Sequence, residues 1–501
     1  MRTSRVFADR HFAVGDVDPR LFGSFVEHLG RGVYTGIFEP GHHHADSDGL
    51  RRDVLALVTE LGVTTIRYPG GNFVSSYRWE DGVGPVASRP RRLDPAWHSV
   101  EPNRFGPAEF VTFAHAAGAE PMLTVNLGTR GVAEAAAFLE YCNHPGGTAR
   151  SELRARHGHR DPFAVRLWCL GNELDGPWQI GHRTAAEYGR LAAETARAMR
   201  AVDPGVELVA CGSSSPELPT FGAWDATVLE HTYELVDYLS LHAYYGETDG
   251  DVGSFLASAQ GMAAFIDGLV ATCDAVRARL RSGKRLRLAF DEWNVWHRPA
   301  DGGPALPEDW PEAPRLLEDV SSVTDAVVVG SLLITLLNHC DRIAVACLAQ
   351  LVNVLAPIMT EPGGPAWRQT IFHPFADTAR HGRGQVLRTA VTSPTYDTAR
   401  YGRAPLLHLT AVAGEDGWLT VFAVNRDTES PLRLVAELGS MTPVLPAEHR
   451  VLTGPDRHAG NTLAHPDRIR PVTVAAPSIE RNTVTAVLPA LSWNTIRVRC
   501  A

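Results

Sequence analysis

Eight short β-forming apolar runs alternate with helical patterns between about residue 20 and about residue 375 of this 501-residue chain, and few folds accept that alternation. The runs are 21–26 (LFGSFV), 63–67 (VTTIR), 121–126 (PMLTVN), 165–170 (VRLWCL), 206–211 (VELVAC), 238–242 (YLSLH), 286–291 (LRLAFD) and 343–349 (IAVACLA). Apolar residues at three- and four-residue spacing fill the gaps, most clearly over 50–61, 107–117, 184–202, 255–281 and 325–338. Eight such units predict an α/β fold, a (β/α)8 TIM barrel with enlarged loops. An open doubly wound sheet is the rival. It usually carries a glycine-rich phosphate loop after its first strand, and the sequence has no GxGxxG.

The character changes after about residue 385. Runs 405–413, 417–424, 431–437, 471–476, 482–488 and 494–499 alternate apolar with polar residues, and Pro, Gly, Asp and Asn separate them. This predicts an antiparallel β-sandwich, jelly-roll-like in class. The chain is too long for one core. The expected division is a barrel over 18–385 and a sandwich over 386–501, joined by residues 1–17, because Arg5–Ala8 is β-like and has no barrel partner. The Pro- and acid-rich stretch 299–316 follows the seventh strand, which predicts a loop over the barrel mouth.

A formal charge of −10 leaves no basic footprint for nucleic acid. The seven cysteines are scattered, odd in number and without a CxxC pair, which fits reduced thiols. The N-terminal residues show no signal-peptide pattern, and no run of eighteen apolar residues predicts a membrane span. The expected location is cytoplasmic.

In a parallel barrel the C-terminal strand ends surround one mouth. Here they carry Glu27 and His28, Arg67, Asn126, Asn172 and Glu173, Ser213 to Ser215, His242 and Tyr244, Glu292, and Gln350. That regularity predicts a shared pocket. Glu173 and Glu292, about 120 residues apart and each beside Trp and Asn, are the residue types a glycosidase needs: a proton for the leaving oxygen and a carboxylate at the anomeric carbon. Helix capping or pairing with arginine is the other reading of each. Arg67, closing a buried strand, needs an anion, which a catalytic carboxylate or a structural partner would supply. Gly70-Gly71 makes a tight turn that could bring Asn72 to a ligand. Asn172 could bond a substrate hydroxyl. Asp291 competes with Glu292, but strand alternation puts it on the opposite side, in a structural role. His42-His43-His44 reads as a solvated loop whose rings diverge. For His28 and His242, hydrogen bonding in a sugar site is favoured over metal ligation. No metal or cofactor is expected.

Six segments, in order over about residues 20–375, resemble the α-L-arabinofuranosidases of glycoside hydrolase family 51, a family of retaining (β/α)8 enzymes. They are Gly23 to His28 (GSFVEH), Arg67 to Asn72 (RYPGGN) with Trp79 to Gly82, Leu170 to Gln179 (LGNELDGPWQ), Ser240 to His242, Phe290 to Trp296 (FDEWNVW) and Ala349 to Asn353 (AQLVN). The resemblance implies double displacement, with Glu173 as acid/base and Glu292 as nucleophile. It implies that Glu27, Asn72, Asn172 and Gln350 hold arabinofuranose hydroxyls. Arg67, His242 and Tyr244 would surround the nucleophile and ring, with Trp296 beside the sugar and Trp178 on the leaving-group side. It further implies an arabinose-containing oligosaccharide as substrate and a homo-oligomer, a hexamer in many members. Ala243, His297, His373 and Ser76 depart from the usual pattern, which bears on aglycone preference. The same mechanism on another glycoside, or a catalytically silent sugar-binding protein, are the alternatives. Lys284, the single lysine, precedes a strand rather than ending one, which disfavours an imine mechanism.

Overall fold

The computed structural model describes residues 1–298 and 303–500. Eight parallel strands close into a barrel: Gly23–Phe25, Thr65–Tyr68, Glu120–Val125, Leu167–Leu170, Glu207–Ala210, Tyr238–Tyr245, Arg287–Val295 and Ile343–Ala349, here numbered one to eight. Each lies at one of the eight expected runs, but strands six and seven run past their expected ends. The strands read as continuous apolar runs because both faces are covered. Phe25, Met122, Cys169, Val209, Ala289 and Val345 fill the interior. Ile66, Leu123, Trp168, Leu208 and Phe290 pack outward on the helices.

The helices follow from spacing and caps. Arg52–Leu61 buries Val54, Leu57, Val58 and Leu61, one stripe at helical spacing, and stops at Gly62, whose φ of 81° suits glycine. Ala185–Val202 starts from a Thr184–Glu187 capping box. Val323–Asn338 is buried from Val323 to Leu337, because the barrel covers one side and the C-terminal sheet the other. At its middle, Gly330 lets Trp493 of the sheet approach; a Cβ there would sit 2.4 Å from the indole.

The C-terminal region is a ten-strand sheet in the order Val472–Thr473, Pro443–Leu452, Ser492–Cys500, Trp418–Asn425, Leu407–Ala413, Gln385–Thr392, Arg2–Asp16, Leu432–Glu437, Thr483–Leu488, Ser478–Glu480. Its two halves share one core, with Leu407, Leu409, Val421 and Ile496 meeting Leu432, Leu434, Val484 and Leu488. The sheet therefore curls over itself in the manner of a sandwich. Period-two alternation divides the labour along Trp418–Asn425: Leu419, Val421 and Ala423 face this core, while Phe422 and Val424 face the helix Val323–Asn338. The N-terminal β segment is far longer than expected. Arg2–Asp16 runs through the middle of the sheet, antiparallel to Gln385–Thr392 and parallel to Leu432–Glu437. Strands Gln385–Thr392 and Pro443–Leu452 were not among the predicted runs. The second carries Pro443 and Pro446 and a bulge between Val444 and Ala447, which hide its alternation.

Among the described residues no helix is long and apolar enough to cross a membrane. All seven cysteines are free, and six are buried. Of the predicted mouth loop 299–316, residues 299–302 lie outside the described residues, as does residue 501.

Candidate active site

Alternation along barrel strand seven puts Ala289 and Asp291 inside and Phe290 outside. A bulge then adds a residue. Ala289 pairs with Ser240 and Glu292 with His242 on strand six, three residues against two, and the same excess recurs against strand eight between Phe290 and Trp293. The extra residue turns Glu292 inward as well. The expectation that Asp291 faces the opposite side is therefore wrong: both carboxylates point into the barrel. Asp291 sits beneath Glu292, 1% exposed, in contact with Arg67 Nε at 3.1 Å and accepting from Ser240 Oγ at 2.5 Å.

Arg67, at the end of strand two, is the hub. Its Nη1 donates to Glu292 at 2.5 Å and its Nη2 to Asn172 Oδ1 at 2.8 Å. Tyr244 Oη donates to the other Glu292 oxygen at 2.8 Å. Glu173 follows strand four with φ 46°, a strained position for a non-glycine residue, reached through Gly171 at φ 90°. One of its oxygens meets His242 Nδ1 at 2.8 Å, and the other accepts from Trp178 Nε1 at 2.7 Å. Trp178 is half exposed, so Glu173 lies on the solvent side of the pair. Glu173, His242 and Glu292 each bring one oxygen or nitrogen to within 4.8 Å of the other two.

Burial raises the Glu292 carboxyl and the charge of Glu173 adds to that, while His242 and Arg67 oppose it; the net direction is upward. Burial works against a charge on His242, but Glu292 and Asp291 outweigh it and push this histidine up to about 10. Asp291 goes the other way, down to about 2, because Arg67 and His242 overcome its burial. A protonated His242 and a guanidinium beside Glu292 make the trio a poor site for a metal cation.

A second cluster lies beside the first. Glu27 accepts from the Phe73 backbone N–H at 2.9 Å, Trp97 Nε1 at 3.0 Å and Gln350 Nε2 at 3.1 Å. Gly70 and Gly71 permit this: a Cβ on Gly71 would lie 2.4 Å from the Glu27 carboxylate. Burial, opposed by the Phe73 N–H and aided by the charge of Glu292, pushes Glu27 up to about 8. Asn72 follows that turn and meets Asn172 Nδ2 at 3.5 Å. Trp296 packs edge-on to Tyr244, 5.5 Å between ring centroids, in an apolar rim with Leu29, Val354 and Leu355.

The structure thus gathers Glu27, Arg67, Asn72, Asn172, Glu173, Trp178, His242, Tyr244, Glu292, Trp296 and Gln350 at one barrel mouth. Other strand-end residues do not converge there. His28 turns to Tyr68 and to Glu101, at 2.7 and 2.8 Å. Asn126 ties down the Tyr77 and Thr129 loops, Ser213 bonds Asp225, and Ser214 bonds Asp175. The three-histidine loop also differs from expectation. His42 is buried, with Nε2 on the Gly364 carbonyl at 2.9 Å, and the three rings cluster with centroids 4.2–5.7 Å apart rather than diverging. Trp97 was missed. Its signal was an aromatic in the long loop after strand two, where mouth loops carry ligand contacts.

A family model described as an α-L-arabinofuranosidase 1 domain matches residues 57–251, and one described as an α-L-arabinofuranosidase C-terminal domain matches residues 291–492. The chain is 63% identical over 499 residues to an intracellular exo-α-(1→5)-L-arabinofuranosidase of Streptomyces lividans, covering 99% of this chain and 75% of that one. It is 52% identical to an exo-α-(1→6)-L-arabinofuranosidase of Bifidobacterium longum, covering 100% and 98%. A solved family 51 α-L-arabinofuranosidase from Bifidobacterium longum superposes with a TM-score of 0.94 at 45% identity, covering all of both chains. Identity of this extent over whole chains, together with the fold and the pair of glutamates, shows that the chain belongs to the α-L-arabinofuranosidases of glycoside hydrolase family 51.

Proposed function

We propose that the protein removes terminal non-reducing α-L-arabinofuranosyl residues from arabinose-containing oligosaccharides by double displacement, with Glu292 as nucleophile and Glu173 as acid/base. The observation that carries this reading is the carboxylate separation: one oxygen of each glutamate lies within 4.8 Å of the other. Retaining enzymes hold their carboxyls ~5 Å apart, and inverting ones ~6.5–9.5 Å to admit a water. The two environments differ as the two roles require. Glu292 is enclosed and held by Arg67 and Tyr244, while Glu173 reaches outward under Trp178.

In the first step Glu292 attacks the anomeric carbon as Glu173 protonates the leaving oxygen. Bonding to the sugar removes the negative charge of Glu292. Glu173, having given its proton to the leaving group, is the carboxylate that takes a proton from the incoming water, held in place by His242 and Trp178. Glu27, Asn72, Asn172 and Gln350 are assigned to the sugar hydroxyls, with Trp97 and Trp296 on its apolar surface. So many polar groups in one enclosed cluster support a pocket and exo action over an open cleft. We assign catalysis to residues 18–385 and support of the barrel to residues 386–501 with 1–17. Relatives named as intracellular support action inside the cell on imported oligosaccharides. We further propose a homo-oligomer, hexameric as in many members of the family, to be read by light scattering.

The test is hydrolysis of 4-nitrophenyl α-L-arabinofuranoside by wild type and Glu292→Ala, with the β-D-xyloside and β-D-glucoside as comparators. Activity on the arabinofuranoside that falls ~10⁴-fold or more in the variant is expected. Activity confined to another glycoside would keep the mechanism and overturn the sugar; silence on all three would favour a binding protein. Arabino-oligosaccharides linked 1→5 and 1→6 then separate the two linkages for which its relatives are named.

A further inference from the structure

The carboxylate that strand alternation turned into the barrel remains without a part in this chemistry. Asp291 is sealed below the pair of glutamates. Its partners are Arg67 Nε at 3.1 Å, Ser240 Oγ at 2.5 Å, His242 Nε2 at 3.4 Å and Cys169 Sγ at 3.7 Å. Each of the two cations it touches uses its far side on a glutamate. Arg67 offers Nε downward to Asp291 and Nη1 upward to Glu292. His242 offers Nε2 downward and Nδ1 upward, 2.8 Å from Glu173 and 3.6 Å from Glu292.

We propose that Asp291 is a positioning residue for the hydrolysis: a buried counter-charge that braces Arg67 and His242 from beneath and so aims one cation at Glu292 and the other at Glu173. This deepens the reading of Glu292 and Glu173 given above and rests on it. The charge count supports it. With Glu173 protonated as the acid, Arg67 and His242 supply two positive charges, and Glu292 and Asp291 two negative ones. Without Asp291 the first step would start from a site with an unmatched buried cation, which a protein relieves by letting the histidine lose its proton. A neutral His242 would no longer be a donor from both ring nitrogens, so its hold on the glutamates at Nδ1 or its bond at Nε2 would be lost. The groups facing His242 that bear on its charge are Asp291 and Glu292 on strand seven, Glu173 after strand four, and Arg67 on strand two. Ser240, on the histidine's own strand, bonds both Asp291 and His242 Nε2, which fixes their mutual orientation.

The experiment is a pH profile of kcat and KM for wild type and Asp291→Asn on aryl arabinofuranosides of good and poor leaving groups, with thermal melts beside it. Asparagine keeps the shape and removes the charge. Expected is a fall in kcat of ~10²-fold on the poor leaving group, several-fold less on the good one, with KM changed little. The alkaline limb of the profile should move to lower pH by a unit or more, because His242 then titrates within the working range. Equal loss on every leaving group with both limbs unmoved would overturn the proposal and leave Asp291 a packing residue. If Asp291→Asn fails to fold, Ser240→Ala loosens Asp291 without removing its charge. A several-fold loss of kcat, again greater on the poor leaving group, is expected, and wild-type kinetics would overturn the proposal. Wild-type turnover in the same assay separates the two readings: an inactive wild type refutes the function, whereas an active one with an indifferent variant refutes only the role of Asp291.

Discussion

Both ends of the barrel hold an arginine between two carboxylates, and they do opposite things with it. At the N-terminal end, Arg20 donates to Glu120 at 2.6 and 2.7 Å and to Glu207 at 2.6 Å, while Tyr238 Oη and Arg166 also donate to Glu207. These groups are part-exposed and satisfied. Burial of Glu207 is outweighed by its bonds to Arg20 and Tyr238, and its pKa falls. At the mouth, Arg67 stands between Asp291 and Glu292, fully buried, and Glu292 moves up rather than down. Residue types do not separate a structural cluster from a reactive one. Dehydration beside a second carboxylate does: burial and the charge of Glu173 together outweigh the bonds to Arg67 and Tyr244, and leave a carboxylate able to gain by bonding to carbon or by shedding its charge.

The largest test of that contrast is Glu173→Ala. It should cut kcat/KM ~10³-fold on substrates with poor leaving groups and far less on an aryl substrate that departs unaided, with no loss of melting temperature. Equal loss on both would break the assignment of Glu173 as the acid. The next is a pH slope in stability. Glu27 sits at about 8 in the fold against an ordinary value of 4.5, chiefly through burial. As the pH rises through that window the unfolded chain gives up a proton that the native chain keeps, so native stability falls, by up to about 1.4 kcal/mol per pH unit from this residue. Melts of wild type and Glu27→Gln across the window should converge at the acid end and part at the alkaline end, with the variant the more stable there. The smallest is Arg20→Ala. It should cost about 2 kcal/mol in denaturant unfolding and leave kcat unchanged. A drop in kcat would show that the two ends communicate.

Much of this was legible in the sequence. The barrel was readable because its strands are buried on both faces and so appear as unbroken apolar runs. Eight mouth residues were readable because they fall at strand ends, and Asn72, Trp178 and Trp296 because they lie in motifs that resemble a known family. Asp291 was misplaced for a physical reason: the bulge turns Glu292 inward beside it without changing any residue's type, so alternation counted back from Glu292 put Asp291 on the wrong face. Trp97 sits on a hairpin far from any barrel strand end, and only the fold brings it to Glu27. The strand Pro443–Leu452 hid behind its prolines, and His42 behind two exposed histidines that share its motif.

The strand Arg2–Asp16 leaves the ribosome well before both its neighbours in the sheet, Gln385–Thr392 and Leu432–Glu437, which lie beyond residue 384. For most of synthesis it has no partner, and its apolar face, Val6 and Ala8 included, must wait in solution or in the care of a chaperone. The sheet after the barrel is therefore built around a strand made before the barrel. An extension fused ahead of Arg2 is carried into the heart of the C-terminal sheet, far from where a linear map of the chain would put it.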